Sequence, residues 1–171
     1  EVQTFFNEDK SIMIIQTCQD AECQIDYQNL KHKRNIISGV REELISVSWL
    51  NRQQIANVHI NCGSYCTGDF YIKRNGDVTS FPNVLALDEQ NECIFYGKDL
   101  SHLAFQKMFA KKPTKIINIK TPKYKFANYS AISMLAETDI RYFGVNKTFR
   151  MTYLDSKGLE KILFFRNPCN I

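Results

Sequence analysis

A chain of 171 residues with 44% hydrophobic and 23% charged side chains has the make-up of a globular protein able to bury a core of its own, and we expect one β-rich domain over 1–171. Only 7 Gly and 4 Pro exclude a disordered or low-complexity chain, and no apolar run approaches the roughly 18–20 residues of a membrane-spanning helix. A net charge of +4 is mild, and the lysines Lys107, Lys111, Lys112, Lys115, Lys120, Lys123 and Lys125 lack the density and interleaved aromatics of a nucleic-acid stripe. A solvated basic face is the simpler expectation.

Alternation of apolar and polar residues governs the chain from its start. Ser11–Thr17 reads as a short β-rich run that ends in the polar, two-cysteine turn Cys18–Cys23. Ile36–Leu44 has room for a short helical turn. In Leu44–Leu50, Ile45, Val47 and Trp49 fall on one face and Ser46 and Ser48 on the other, which is the pattern of a half-buried strand. With the turn Asn51–Gln54 and a second strand Ile55–Ile60, the segment 44–60 predicts a hairpin. Asp69–Lys73 and Val78–Phe81 flank Asn75-Gly76, the strongest short hairpin signal, for which both turn residues are expected at positive φ.

A further pair of strands, Val84–Leu87 and Glu92–Tyr96, is joined by Asp88–Asn91. Leu100–Phe109 carries apolar residues at helical spacing and is expected as the minor helix. Ile116–Ile119, bounded by Pro113 and Pro122, reads as a strand. Ser130–Ala136, Ile140–Phe143 and Thr148–Leu154 follow, and Asp155–Gly158 turns into a last strand, Leu159–Phe165. The expected fold is therefore mainly β, with antiparallel hairpins in a sandwich or a short propeller-like stack, spaced about 40 residues apart.

Six cysteines, Cys18, Cys23, Cys62, Cys66, Cys93 and Cys169, fit complete pairing in an oxidising compartment. Fifteen connectivities exist for six cysteines. Cys18–Cys23 and Cys62–Cys66 could each close a small loop, which leaves Cys93 for Cys169 and a long loop worth about 4–5 kcal/mol in the chain-entropy account. The chain opens at Glu1 without an initiator Met, which with the cysteines fits cleavage after export.

Catalytic and metal chemistry find little footing. Zinc at Cys62–Cys66 would have His59 as its one nearby histidine, and His59-Ile-Asn-Cys62 has Asn61 where a zinc deaminase needs an acid. Ser64 lies outside any G-x-S-x-G elbow, and His32, His59 and His102 stand in unrelated settings. Asp88–Glu92 lacks the glycine and spaced acids of a calcium loop. No cofactor or metal is expected, and the protein is read as a non-enzyme. Asn128-Tyr-Ser130 and Asn146-Lys-Thr148 are N-glycosylation sequons of little weight in an Asn-rich chain.

The stretch from Ile60 to Pro82, with Cys62-Gly-Ser-Tyr-Cys66 ahead of the hairpin at Asn75-Gly76-Asp77-Val78, resembles small exported proteins of Gram-negative bacteria. These place a CGxxC or CGxxxC element after a strand and before a hairpin, and the likeness continues through Asn83–Asn91 over about 50 residues. The resemblance implies periplasmic residence. By analogy it implies an immunity protein or inhibitor against a toxin or hydrolase, as in interbacterial competition through type VI secretion. A rigid disulfide ring suits such a role because it lowers the ordering cost of association, so Ser64 and Tyr65, with Asp69 and Tyr71 beside them, are the expected partner-binding residues. A small envelope enzyme or a structural envelope component are the alternatives. The partner is expected to be a protein, with no nucleic acid and no membrane insertion.

Overall fold

The computed structural model describes residues 1–63, 66–123 and 139–170, with Cys66 described in its backbone alone. Strand makes up 64% of the described residues and helix 2%, so the chain is mainly β. It divides into two compact units, Glu1–Cys62 with Thr67–Ser80, and Gly63–Cys66 with Phe81–Ile171.

The first unit is built from two antiparallel meanders. One comprises β1 (Val2–Phe6), β2 (Met13–Gln19), β3 (Glu22–Gln28) and β4 (Lys33–Arg41), each strand beside the next. A 3₁₀ turn at Glu42–Leu44 leads into β5 (Ile45–Leu50), β6 (Ile55–Gly63), β7 (Cys66–Lys73) and β8 (Val78–Pro82), again in sequence order. Period-two alternation gives each meander one apolar face, and the two faces share a core. Ile12, Ile14, Ile25 and Tyr27 pack with Ala56, Val58, Ile60 and Ile72, with Val47 and Trp49 partly buried against them.

Turn chemistry sets the registers. Cys18 and Cys23 stand directly opposite each other on β2 and β3, 4.0 Å apart at Cα and joined by a disulfide. Their hairpin closes on two residues, Asp20 and Ala21, at φ 52° and 67°, so the cysteines belong to the strands and not to the turn. At Asn75-Gly76 the outcome differs from the expectation: only Gly76 has positive φ, at 92°. Gly76 N–H donates to the Lys73 carbonyl at 2.9 Å and Lys73 N–H to the Asp77 carbonyl at 2.9 Å. This is a three-residue loop with a glycine bulge. The hairpin tip is fixed from outside, because Tyr27 Oη and Asn29 Nδ2 both donate to the Arg74 carbonyl, at 3.1 and 3.2 Å.

The second unit holds β9 (Val84–Asp88), β10 (Cys93–Asp99), β11 (His102–Lys107) and β12 (Lys115–Asn118), then β13 (Asp139–Phe143), β14 (Thr148–Leu154) and β15 (Glu160–Arg166). Phe95 stacks on Phe105 at 4.2 Å, and Phe149 and Phe165 close around the pair. The disulfide Cys93–Cys169 ties the end of β15's trailing segment to β10. Beside it, fully buried Asp88 accepts from Asn91 Nδ2 at 2.6 Å and from Asn167 Nδ2. Burial, and then the Asp88 carboxylate, push the Tyr142 phenol up.

The expected helix at Leu100–Phe109 is strand β11 instead. Leu103, Ala104, Phe105 and Gln106 are all buried, so this strand has no polar face to reveal its period, and its apolar residues imitate helical spacing. Of the turn expected in Ile36–Leu44, only Glu42–Leu44 is helical. The strand expected at Ser130–Ala136 and the sequon at Asn128 lie outside the described residues.

Two carboxylates tie this fold to pH. Burial alone would raise Asp26, but donation by Gln24 and Asn35 and the Lys33 ammonium outweigh it and hold its pKa below the usual 3.8. Asp155 is held low chiefly by the Leu159 and Lys157 backbone N–H groups. A carboxylate with a depressed folded pKa contributes stability that is present above the unfolded value and lost as pH falls through the folded one. The urea midpoint is therefore expected to drop below pH 3.8, with a shallower drop in Asp26→Asn. An identical acid profile in that variant would contradict the assignment.

Candidate functional site

In the first unit the end of β4 and the turn after it stand over β6 and β7, leaving an open cleft of about 390 Å³. Ile37, Val40 and Leu44 line one side, and Ile60, Cys62 and Phe70 the other. Two glycines create the space. Between Cys23↔Val40 and Gln24↔Ser38 the β3–β4 ladder skips Gly39, a bulge with φ +74°. Gly68 on β7 contributes no side chain either, and a Cβ built on Gly39 or Gly68 would meet nothing within 4 Å. A glycine inside a strand pattern marks a bulge or a place where another group approaches the backbone, and here two of them border one apolar cleft.

Polar groups at the cleft are few. Arg41 also lines it, and its guanidinium lies 2.7 Å from Glu43 with both side chains largely exposed. An exposed pair of this kind is worth little, so Arg41 can exchange Glu43 for an acidic group on an incoming molecule. An apolar group flanked by an acid is what the cleft is equipped to take.

On the same two strands His59 and Asp69 form a second feature. His59 Nδ1 is 2.9 Å from Asp69 Oδ1, with the imidazole 37% exposed and the carboxylate 6%. Asp69 thereby fixes the ring, which stays partly exposed. Burial, and then the Asp69 charge, push the Tyr71 phenol far above its usual range, so Tyr71 stays neutral. Ser46 lies directly across the ladder from His59 on β5, but among the described residues no hydroxyl hydrogen-bonds to the ring.

The residues expected to bind a partner divide. Ser64 and Tyr65 lie outside the described residues. Asp69 and Tyr71 are buried, at 4% and 1% exposure. Phe70 and Ile72 on the intervening positions pack against the core, so Asp69 and Tyr71 lie on the strand's other face, where their burial leaves them little surface to offer a partner. Of the cysteines, Cys18–Cys23 and Cys93–Cys169 are joined and Cys62 is disulfide-bonded. Among the described residues no His, Cys, Asp or Glu side chains gather as a metal-binding group of three or more, and no helix is long and apolar enough to cross a membrane.

The lysines expected on a solvated face are exposed wherever they are described. Lys107, Lys111, Lys112, Lys115, Lys120 and Lys123 are exposed on β11, β12 and the adjoining turns, and β12 is the outer strand of its sheet. Lysines and flanking prolines on a short outer strand discourage pairing with other chains. Lys125 lies outside the described residues.

No protein-family model and no curated protein matches the chain. Among solved structures, a structural-genomics protein of unknown function from Bacteroides thetaiotaomicron is similar at 10% identity and a TM-score of 0.36, over 88% of this chain. The chain spans 40% of that protein's length.

Removing the imidazole in His59→Ala strips the buried Asp69 carboxylate of its hydrogen-bond partner. A loss of about 1–3 kcal/mol is expected, read as a lower urea midpoint with an unchanged slope. A change within error would mean that the pair does not support β6 and β7.

Proposed function

We propose that this is a binding protein of an oxidising, extracytoplasmic compartment, the bacterial periplasm, where it acts as an immunity protein or inhibitor. Its partner is a toxin or hydrolase that inserts an apolar side chain, with a neighbouring acid, into the cleft between β4 and β6–β7. The observation that carries this reading is the cleft itself: an apolar space bordered by two glycines, with Arg41 as its adjacent cation. Apolar pockets that receive one anchoring side chain are the usual energetic centres of protein interfaces. The bonded Cys62 stands at the cleft, and a cross-link beside a binding surface reduces the ordering cost of association. The disulfides Cys18–Cys23 and Cys93–Cys169 fit a compartment where thiols are oxidised.

A small envelope enzyme is the second reading, and the His59–Asp69 pair favours it. A carboxylate that orients an imidazole is half of a general-base arrangement. The missing half is a nucleophile or bound water on the accessible side of the ring.

Gly68→Trp separates the readings. Its Cβ has open space, so the variant should keep its melting temperature while the indole fills the cleft. The probe is hydrolysis of purified cell wall by a periplasmic extract of competing cells. Wild-type protein should suppress the hydrolysis, and Gly68→Trp should be weaker by at least about tenfold, the effect of losing one anchoring contact. Equal suppression by both proteins would remove the cleft from the function. Hydrolysis by the purified protein alone, abolished in His59→Ala, would replace inhibition with catalysis.

A further inference from the structure

We propose that β15 is a self-complementary edge through which two copies of this chain pair into one continuous sheet. Among the described residues the other three sheets each have four strands, whereas the last has three, in the order β13-β14-β15. Among the described residues no strand pairs with the outer side of β15. Apolar exposure concentrates here: Leu154, Leu159, Ile162 and Phe164 are between 43% and 65% exposed.

The pleat separates the strand's side chains cleanly. Phe165 is buried and Leu163 packs against the core, so Glu160, Ile162, Phe164 and Arg166 project from the opposite face. The ladder agrees, because Phe164 lies opposite Arg150 and Ile162 opposite Thr152, both on the outward face of β14.

Now place a second β15 antiparallel to the first, with the twofold axis through Leu163. Glu160 then meets Arg166 of the second copy, and Ile162 meets its Phe164. Each contact occurs twice, as an isologous interface requires. Opposite-charge and aliphatic–aromatic pairs across neighbouring strands are the favourable cross-strand combinations. Charge and apolarity are thus both satisfied in one register, and a shift by one residue along either strand breaks both sets. The outer strand β12 offers no such match, since its flanking turns bring lysine toward lysine.

This proposal is independent of the cleft, which lies in the other unit. Its test is the mass of the full chain by sedimentation equilibrium over a wide concentration range. A reversible dimer is expected. Glu160→Arg places two cations together and Arg166→Glu two anions, so each should raise the dissociation constant at least about tenfold, in line with the cost of juxtaposed like charges. The double variant should restore dimerisation, because it exchanges the partners and keeps the pairing. Phe164→Lys, at a position 65% exposed, should fold normally and remain monomeric. A monomer at every concentration would overturn the proposal. So would dimerisation that persists in Phe164→Lys, or a double variant no better than the single ones.

Discussion

A β-meander has one apolar face and nothing of its own with which to cover it, and this constraint organises everything else in the protein. Neither meander of the first unit can be dry alone; Ile14, Ile25 and Tyr27 need Val58, Ile60 and Ile72 against them. The second unit solves the same problem with aromatic rings, Phe95 and Phe105 from one sheet against Phe149 and Phe165 from the next. Disulfides then hold what the cores have already assembled. Cys18–Cys23 locks one hairpin register, and Cys93–Cys169 retains the segment after the last strand.

Shared cores also explain where binding surfaces arise. Two sheets packed face to face fit tightly where large side chains interdigitate and separate where side chains are absent. Gly39 and Gly68 are such absences, and they border one cleft. Where a sheet ends before its last apolar residues are covered, as at β15, the surplus is left for a neighbour. Cleft and edge thus follow from one rule, that apolar area not covered within the chain is available for contact outside it.

Much of the fold was legible because alternation is a backbone property. The hairpin 44–60 and β14 can be read from period two alone, and the strands around Asn75-Gly76 from the turn between them. Strands with both faces buried could not be read this way: β11 lost its alternation to burial and looked helical. β3 is legible in principle, since Cys23, Ile25 and Tyr27 alternate with Gln24, Asp26 and Gln28, but the close spacing of Cys18 and Cys23 equally suits a small loop. The site was harder. Asp69 and Tyr71 have the chemistry of contact residues, but only a structure shows that both are buried. The useful signals were Gly39 and Gly68, each a glycine inside a strand pattern, whose meaning depends on what stands across the gap.

Amide hydrogen exchange of the protein with and without a bound hydrolase tests the cleft most directly, because it reports the contact without altering a residue. The account predicts that protection is gained in Ile37–Leu44 together with 60–62 and 67–70, the opposing walls of one space, and that the amides of β15 are unaffected at concentrations where the chain is monomeric. Protection gained elsewhere, with both walls exchanging as in the free protein, would contradict it.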